Sequence, residues 1–262
     1  GGVGANIQID SLVSDGESLL ASGTGQPGEI LTIQVLNPGS GYEYIPIITI
    51  TGGSGNDLIT AATAVGDIID GGAGIDVITV TDGGATGNHV IKSTAVLTAN
   101  ADVVVGFATT EDDFDFNGTL ANGSGAGAGI AAAEIASATT ITGALATAGA
   151  ANDIVFIATT DLSGTEEAAL DTFDSTAPTA AQAQAVVDAI VGTGGAFNGA
   201  ITNLDTILGA SDSVLFQVST DTDTAVFRIT NTTATGNTLT ADEVALVAVF
   251  EGAVDLVAAD YI

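Results

Sequence analysis

The most constraining feature of this chain of 262 residues is a glycine- and aspartate-rich segment that occurs twice, nineteen residues apart. One copy runs from Gly52 to Thr60 as Gly-Gly-Ser-Gly-Asn-Asp-Leu-Ile-Thr, and the other from Gly71 to Thr79 as Gly-Gly-Ala-Gly-Ile-Asp-Val-Ile-Thr. In each copy the glycines allow a tight turn, and the residues after the aspartate form a short β-type run with an apolar centre. The pattern therefore predicts stacked turns joined by short strands.

Weaker copies lie between and after the two full ones. Residues 62–70 keep Asp67 and Ile69 in the aspartate and apolar positions, although residues 62–65 have lost the glycines, and in residues 83–91 Asn88 takes the aspartate position. The β-type run Asp102-Val-Val-Val follows. We expect successive turns to alternate between the two edges of a parallel stack. The apolar centres expected to point inward are Ile59, Ile69 and Ile78.

This repeat resembles the hemolysin-type calcium-binding (RTX) nonapeptide of secreted bacterial proteins. The resemblance implies a short parallel β-roll that holds Ca²⁺ between turns two repeats apart, here residues 52–57 and 71–76. Calcium accepts roughly six to eight oxygen ligands, from carboxylates and backbone carbonyls alike. The expected ligands are the carboxylates of Asp57 and Asp76 with backbone oxygens of Gly52, Ser54, Asn56, Gly71, Ala73 and Ile75. Asp67 is the candidate ligand of a second calcium site on the opposite edge, and the sequence does not decide whether that site exists.

The charge composition limits the classes of partner. The chain has 32 acidic residues against one lysine, Lys92, and one arginine, Arg228, for a net charge of -30. Phosphate contacts need Lys and Arg, so nucleic acid and anionic membrane surfaces are excluded as partners, and divalent cations are the natural counter-charge. There is no cysteine to form a disulfide or a thiolate ligand. No apolar run reaches the roughly eighteen residues of a membrane helix, so we expect no membrane insertion.

The residue types do not favour catalysis. His89 is the only histidine, which excludes a multi-histidine zinc centre and leaves one candidate base for a serine nucleophile. No Gly-x-Ser-x-Gly elbow occurs. Counting acids leaves a carboxylate-pair glycosidase open, but a chain with no tryptophan and three tyrosines is a poor sugar platform. We therefore predict a protein that is not an enzyme, with His89 packed against the turns or on the surface.

The N-terminal residues 1–51 carry β-type runs but few apolar residues. The Asn37-Pro38-Gly39-Ser40-Gly41 segment predicts a hairpin between its two flanking runs. We expect Ala5 to Thr51 to pack against a neighbouring subunit or add a strand to it, or else to extend the roll of its own chain. The three runs are residues 5–13, 30–36 and 44–51.

The C-terminal residues 119–262 are predicted to form a β-rich domain with one or two short helices. A capping box at Ser163 and Glu166 would open the first helix, and Pro178 would be the first residue of a second helix near 178–191, ended by Gly192. Residues 121–151 are expected to form a loose connection with a strand near 139–145, and the acids at 111–113 to be solvated. The remaining predicted strands are 152–158, 214–218 paired with 225–230, and 244–250.

Two further resemblances concern location and role. Residues 102–116 resemble the segment that closes many such rolls, and the last fifty residues resemble the C-terminal module of RTX surface proteins exported by type I secretion, which implies an extracellular address. The chain begins Gly-Gly-Val-Gly, and we expect a fragment or processed form.

Together the patterns predict a mainly β chain with a β segment at 1–51, a calcium β-roll at 52–118 and a C-terminal domain at 119–262. The expected function is that of a non-catalytic, self-assembling homopolymer subunit of a bacterial surface layer or extracellular filament, stabilised by Ca²⁺. The alternative is the calcium-binding and export portion of a larger RTX adhesin. A contact with cell-surface glycan stays open for either.

Overall fold

A computed structural model gives the architecture of a large part of the chain. It describes residues 6–12, 30–37, 49–61, 66–81, 88–93, 95, 97–109, 111–116, 130–135, 153–158, 164–173, 176–190, 213–232, 241–252 and 256–262. The fold is mainly β, as the sequence predicts. The strands among these residues are β1 (Asn6–Leu12), β2 (Ile30–Asn37), β3 (Thr49–Ser54), β4 (Leu58–Ala61), β5 (Ile68–Ala73), β6 (Val77–Val80), β7 (Val90–Ser93), β8 (Asp102–Val105), β9 (Asp113–Phe116), β10 (Ile130–Ile135), β11 (Asp153–Ala158), β12 (Ser213–Ser219), β13 (Asp223–Thr230) and β14 (Val244–Glu251). The helices are α1 (Thr165–Asp171) and α2 (Ala180–Ile190), with 3₁₀ turns at Thr98–Asn100, Ala241–Glu243 and Ala258–Asp260.

From β3 to β9 the chain alternates between two parallel sets of strands, and we call this part the coil. One set is the sheet β3-β5-β7-β9, and the other is the run β4-β6-β8. The register pairs Thr49 with Ile68 and Leu58 with Val77, so the two full glycine-aspartate copies lie directly over one another. The three predicted central isoleucines, at positions 59, 69 and 78, are buried between the two sets, with exposures of 8%, 0% and 0%.

The coil and the C-terminal half share one continuous sheet. Strand β14 pairs in parallel with β8 through Ala248 and Asp102, and the eight-stranded sheet has the order β10-β11-β12-β13-β14-β8-β6-β4. Its central strands are apolar on both faces, which explains the uninterrupted apolar run of β14. One face packs against α1 and α2, and the other against the sheet β3-β5-β7-β9. Neighbouring residues therefore enter different cores: Val103 packs under the helices, whereas Val104 packs inside the coil.

The last residues of the chain close the C-terminal end of the coil. Tyr261 forms a parallel bridge with Phe114 of β9, and the Ile262 N–H donates to the Phe114 carbonyl at 3.2 Å. The buried Tyr261 hydroxyl donates to Gln217 Oε1, and the Gln217 side-chain amide donates to the Leu256 carbonyl. These contacts tie the C-terminal segment to both sheets.

Within the described residues the predicted N-terminal hairpin is not seen. Strand β2 pairs antiparallel with β1, whose register matches Ile9 with Ile33, and not with the run that follows the Pro-Gly segment. That run contributes β3, which pairs in parallel with β5. The nineteen-residue register with the second glycine-rich copy therefore prevailed over the local turn signal. The predicted strand residues 44–48 lie outside the described residues.

Several C-terminal predictions are confirmed and others are corrected. The β12–β13 hairpin is present, β14 is a strand, and residues 153–158 form β11. The predicted loose connection contains a strand, β10, which pairs in parallel with β11. The proposed strand near 139–145 lies outside the described residues.

The helix boundaries also differ from the predicted ones. The first helix begins at Thr165 with Gly164 at its N-cap, whereas Ser163 of the predicted capping box lies outside the described residues. The second helix begins at Ala180, two residues after Pro178. Its start carries the reciprocal bonds of a capping box instead: the Gln182 N–H donates to Thr179 Oγ1 at 3.3 Å, and the Thr179 N–H donates to Gln182 Oε1 at 2.9 Å.

Candidate metal centre

The candidate site lies where the first glycine-aspartate turn stacks on the second. Backbone hydrogen bonds join the two turns: the Gly55 N–H donates to the Ala73 carbonyl at 2.6 Å, and the Val77 N–H donates to the Asp57 carbonyl at 2.9 Å. The Asn56 side chain adds a third link, because its Oδ1 accepts the Ile75 N–H at 3.1 Å. The two turns are thus held in register on both sides of the aspartate position.

Glycine is required in the second turn by both conformation and space. Gly72 has a φ of 95° and Gly74 a φ of 132°, which side chains rarely adopt. A Cβ on Gly72 would also collide with the Gly53 carbonyl oxygen, and one on Gly74 with the Gly55 carbonyl oxygen. The close stacking of the turns therefore depends on the glycine spacing that the sequence shows.

The aspartates of successive turns on this edge form what we call the aspartate ladder: Asp57, Asp76 and Asp102. Asp76 Oδ1 accepts the backbone N–H of Asp57 at 2.8 Å, and Asp102 Oδ1 accepts the backbone N–H of Asp76 at 3.1 Å. Each carboxylate thus fixes the backbone of the turn before it. The predicted juxtaposition of Asp57 and Asp76 is present, and Asp102 is a third member that the sequence reasoning missed.

Asp76 has capacity left for a ligand. Its side chain is fully buried, and its Oδ2 has no hydrogen-bond partner among the described residues. A Cβ on Gly71 would collide with this same oxygen, so the glycine makes room for the Asp76 carboxylate itself. Burial raises the pKa of Asp76 to about 7, and the negative charge of Asp57 adds to the rise. A buried carboxylate oxygen beside another carboxylate is a position that a cation would stabilise.

Asp102 is already satisfied by the protein. Its Oδ1 binds the Asp76 N–H, and its Oδ2 accepts the Ser93 hydroxyl at 3.3 Å. Burial, followed by the charge of Asp76, raises the pKa of Asp102 well above its usual value. The sequence reasoning missed this role because Asp102 follows Asp76 by 26 residues, and not by the nineteen that separate the full copies. The signal available was its position directly before a β-type run.

The opposite edge carries an equivalent ladder of Asp67, His89 and Asp112. The Asp67 N–H donates to His89 Nδ1 at 3.2 Å, and the His89 N–H donates to Asp112 Oδ1 at 2.9 Å. The aspartate position of this turn is thus held by His89, so its assignment to Asn88, which is exposed, was wrong. The packing of His89 against the turns is confirmed, since its side chain is fully buried.

The second member of the predicted acidic run is also buried. Asp112 has an exposure of 1%, and its Oδ2 accepts the Ala108 N–H at 2.8 Å. The prediction that the acids at 111–113 are solvated was therefore wrong for Asp112, although Glu111 is exposed. A ladder position needs a buried acceptor, and this requirement outweighs the preference of a carboxylate for water.

The remaining predicted ligands lie in the two stacked turns. Gly52, Ser54 and Asn56 are exposed, whereas Gly71 and Ile75 are buried. The described residues hold no group of three or more His, Asp or Glu side chains in a metal-ligating arrangement, so a cation here would need backbone carbonyls as well.

Comparison of the chain with protein families, with curated proteins and with solved structures finds no match. Neither helix in the described part of the chain is long and apolar enough to span a membrane.

Proposed function

We propose that this chain is a calcium-stabilised, non-catalytic structural protein that acts outside the bacterial cell as a self-assembling subunit of a surface layer or filament. The observation that carries the calcium part is the buried Asp76 Oδ2, which lies against Gly71 and has no hydrogen-bond partner among the described residues. In this proposal the remaining ligands are backbone carbonyls of the stacked glycine turns.

The donor atoms favour calcium among the common metals. The proposed ligands are the Asp57 and Asp76 carboxylates with the backbone oxygens of the two turns, and all of these are hard oxygen donors. The chain contains no cysteine, and its single histidine lies in the ladder of the opposite edge, so soft or nitrogen-rich coordination has no support at this site. A divalent cation would also offset part of the net charge of -30. Because such an ion binds the folded chain alone, it would stabilise the fold by mass action. In this proposal the coil is a calcium β-roll.

Self-assembly is supported by the strand edges at the N-terminal end of the coil. Within the described residues β3 pairs only with β5, and β4 pairs only with β6. Five of the six residues of β3 are exposed, and Leu58 of β4 is 58% exposed. Unpaired strand edges of this kind accept strands from another chain. The other end of the coil is covered by β14 and Tyr261 and, in the part of the chain that the structure describes, offers no such edge. The proposed contact therefore joins two different surfaces of the subunit.

The strand that would fill this edge is proposed to come from the N-terminal β1–β2 pair of a second copy. A two-stranded sheet is marginal alone. In the described residues β1 and β2 pair only with each other. Strand β2 precedes β3 by nineteen residues, the same offset that separates β3 from β5, and this spacing suits the alternative in which β2 extends the coil of its own chain. The contact with a second copy is heterologous and continues from copy to copy as a filament or lattice.

The experiment is electron microscopy and light scattering of the purified chain with CaCl₂ or with a chelator. We expect polymers in calcium that dissolve with the chelator. Deletion of residues 1–37, which removes β1 and β2 and leaves β3 intact, should prevent polymers while the remaining residues still respond to calcium. A chain that stays monomeric in calcium would contradict the surface-layer proposal. It would favour the alternative, the calcium-binding and export portion of a larger RTX adhesin.

A further inference from the structure

The aspartate ladder points to a residue that controls the proposed calcium site without binding the ion. We propose that Asp102 is a positioning residue of this site, which holds the backbone of Asp76 in place while its own oxygens stay bound to the protein. The inference rests on the proposed calcium site and deepens it.

The carboxylates of Asp76 and Asp102 differ in the hydrogen bonds that their two oxygens form. In Asp76 one oxygen accepts the Asp57 N–H at 2.8 Å, and the other has no hydrogen-bond partner among the described residues. In Asp102 one oxygen accepts the Asp76 N–H at 3.1 Å, and the other accepts the Ser93 hydroxyl at 3.3 Å. Equivalent ladder positions therefore differ in one respect, which is whether an oxygen remains for a cation.

The difference between the two carboxylates originates in Ser93 and in the turn before Asp102. Ser93 ends β7 in the opposite sheet of the coil, and its hydroxyl also accepts the Ala95 N–H at 3.2 Å. The hydroxyl proton is therefore directed to Asp102 Oδ2. The turn before Asp102 contains the 3₁₀ turn Thr98–Asn100 in place of a glycine-rich segment. The third turn of this edge therefore ends the ladder and leaves no carboxylate oxygen of Asp102 for a second ion.

The place of Asp102 in the shared sheet affects the proposed cation site. Asp102 is 3% exposed and begins β8, which lies between β6 and β14 in the shared sheet. It is therefore fixed from the C-terminal side, and it fixes Asp76 in turn. Residues that orient metal ligands through hydrogen bonds affect affinity by about 10- to 100-fold when they are removed. Asp102 fits this role because its contact is to the backbone of a proposed ligand.

The experiment is a CaCl₂ titration by calorimetry of the full chain and three variants. We expect Asp102→Ala to weaken calcium binding by about 10- to 100-fold. Asp102→Asn keeps an oxygen that accepts the Asp76 N–H, so it should fold and retain most of the affinity. The matched control is Asp112→Ala, which removes the same kind of ladder acceptor, to His89, on the opposite edge. It should be destabilised yet bind calcium at this site as the unmodified chain does.

Three results would overturn the inference. Equal losses in the Asn and Ala variants would show that Asp102 acts through its charge, as a ligand does. An equal loss in Asp112→Ala would show that any loss of stability weakens the site. Unchanged affinity in Asp102→Ala would show that the hydrogen bond does not matter. These outcomes all require that the unmodified chain binds calcium; if it does not, the proposed function itself is rejected along with this inference.

Discussion

Replacing Asp76 with asparagine should have opposite effects with and without calcium. In the metal-free chain the substitution removes a buried negative charge beside Asp57, while the amide oxygen can still accept the Asp57 N–H. The metal-free variant should therefore be more stable than the unmodified chain at neutral pH and above. In calcium the variant has lost a charged ligand, so calcium should stabilise it much less.

The size and sign follow from the pKa of Asp76, which burial raises from 3.8 in the unfolded chain to about 7 in the folded one. Between these two values the folded chain binds more protons than the unfolded chain, so stability falls as the pH rises. One pKa unit corresponds to about 1.4 kcal/mol, so the loss amounts to about 4 kcal/mol by pH 7 and does not grow further above it. The raised pKa of Asp102 acts in the same direction.

The assay is urea unfolding followed by circular dichroism, in chelator, at several pH values from 4.5 to 8. The unmodified chain should lose stability as the pH rises towards 7, and Asp76→Asn should lose less. Asp171→Asn, which removes an exposed charge from α1, controls for net charge and should follow the unmodified chain. The reasoning is refuted if metal-free stability rises between pH 5 and 7, or if Asp76→Asn is the less stable chain at pH 8.

Three other predictions follow from the packing. Gly72→Ala should lower the free energy of unfolding, measured by chemical denaturation, by more than about 1 kcal/mol beyond the effect of Gly53→Ala. Both positions have a positive φ, but only the Cβ at position 72 meets the backbone of the neighbouring turn. Equal effects of the two substitutions would contradict this. The folded chain should resist trypsin, because its two cleavage sites, Lys92 in β7 and Arg228 in β13, lie in inner strands. In chelator, gel analysis of the digested chain should show at most three fragments. Tyr261→Phe should lower the free energy of unfolding by about 1 to 3 kcal/mol, because a buried glutamine oxygen loses its donor, and an unchanged value would refute that contact.

The sequence predicts the parts of the fold that depend on local periodicity. The nineteen-residue repeat predicts the stacking of residues 52–57 on 71–76, and the apolar positions predict the buried isoleucines of the coil. The β12–β13 hairpin follows from two apolar runs around a short polar turn. In these cases the residues that decide the structure lie close together in the chain or recur at a constant spacing.

The features that the sequence did not predict depend on contacts between distant residues. The pairing of β14 with β8 joins segments about 146 residues apart, and no local pattern signals it. His89 occupies an aspartate position because a ring nitrogen can replace a carboxylate oxygen as acceptor, which a search for acidic residues overlooks. No sequence pattern indicates the role of Ser93, because its hydrogen bond to Asp102 forms only when the two sheets face each other.

Calorimetric titration of CaCl₂ into the metal-free chain decides whether the stacked turns bind calcium. We expect saturable binding of at least one ion per chain. It should be lost when Asp57 and Asp76 are both replaced by alanine and retained in Glu166→Ala, which changes a partly exposed α1 residue. Absence of saturable binding in the unmodified chain, or unchanged binding in the double variant, would contradict calcium binding by these turns.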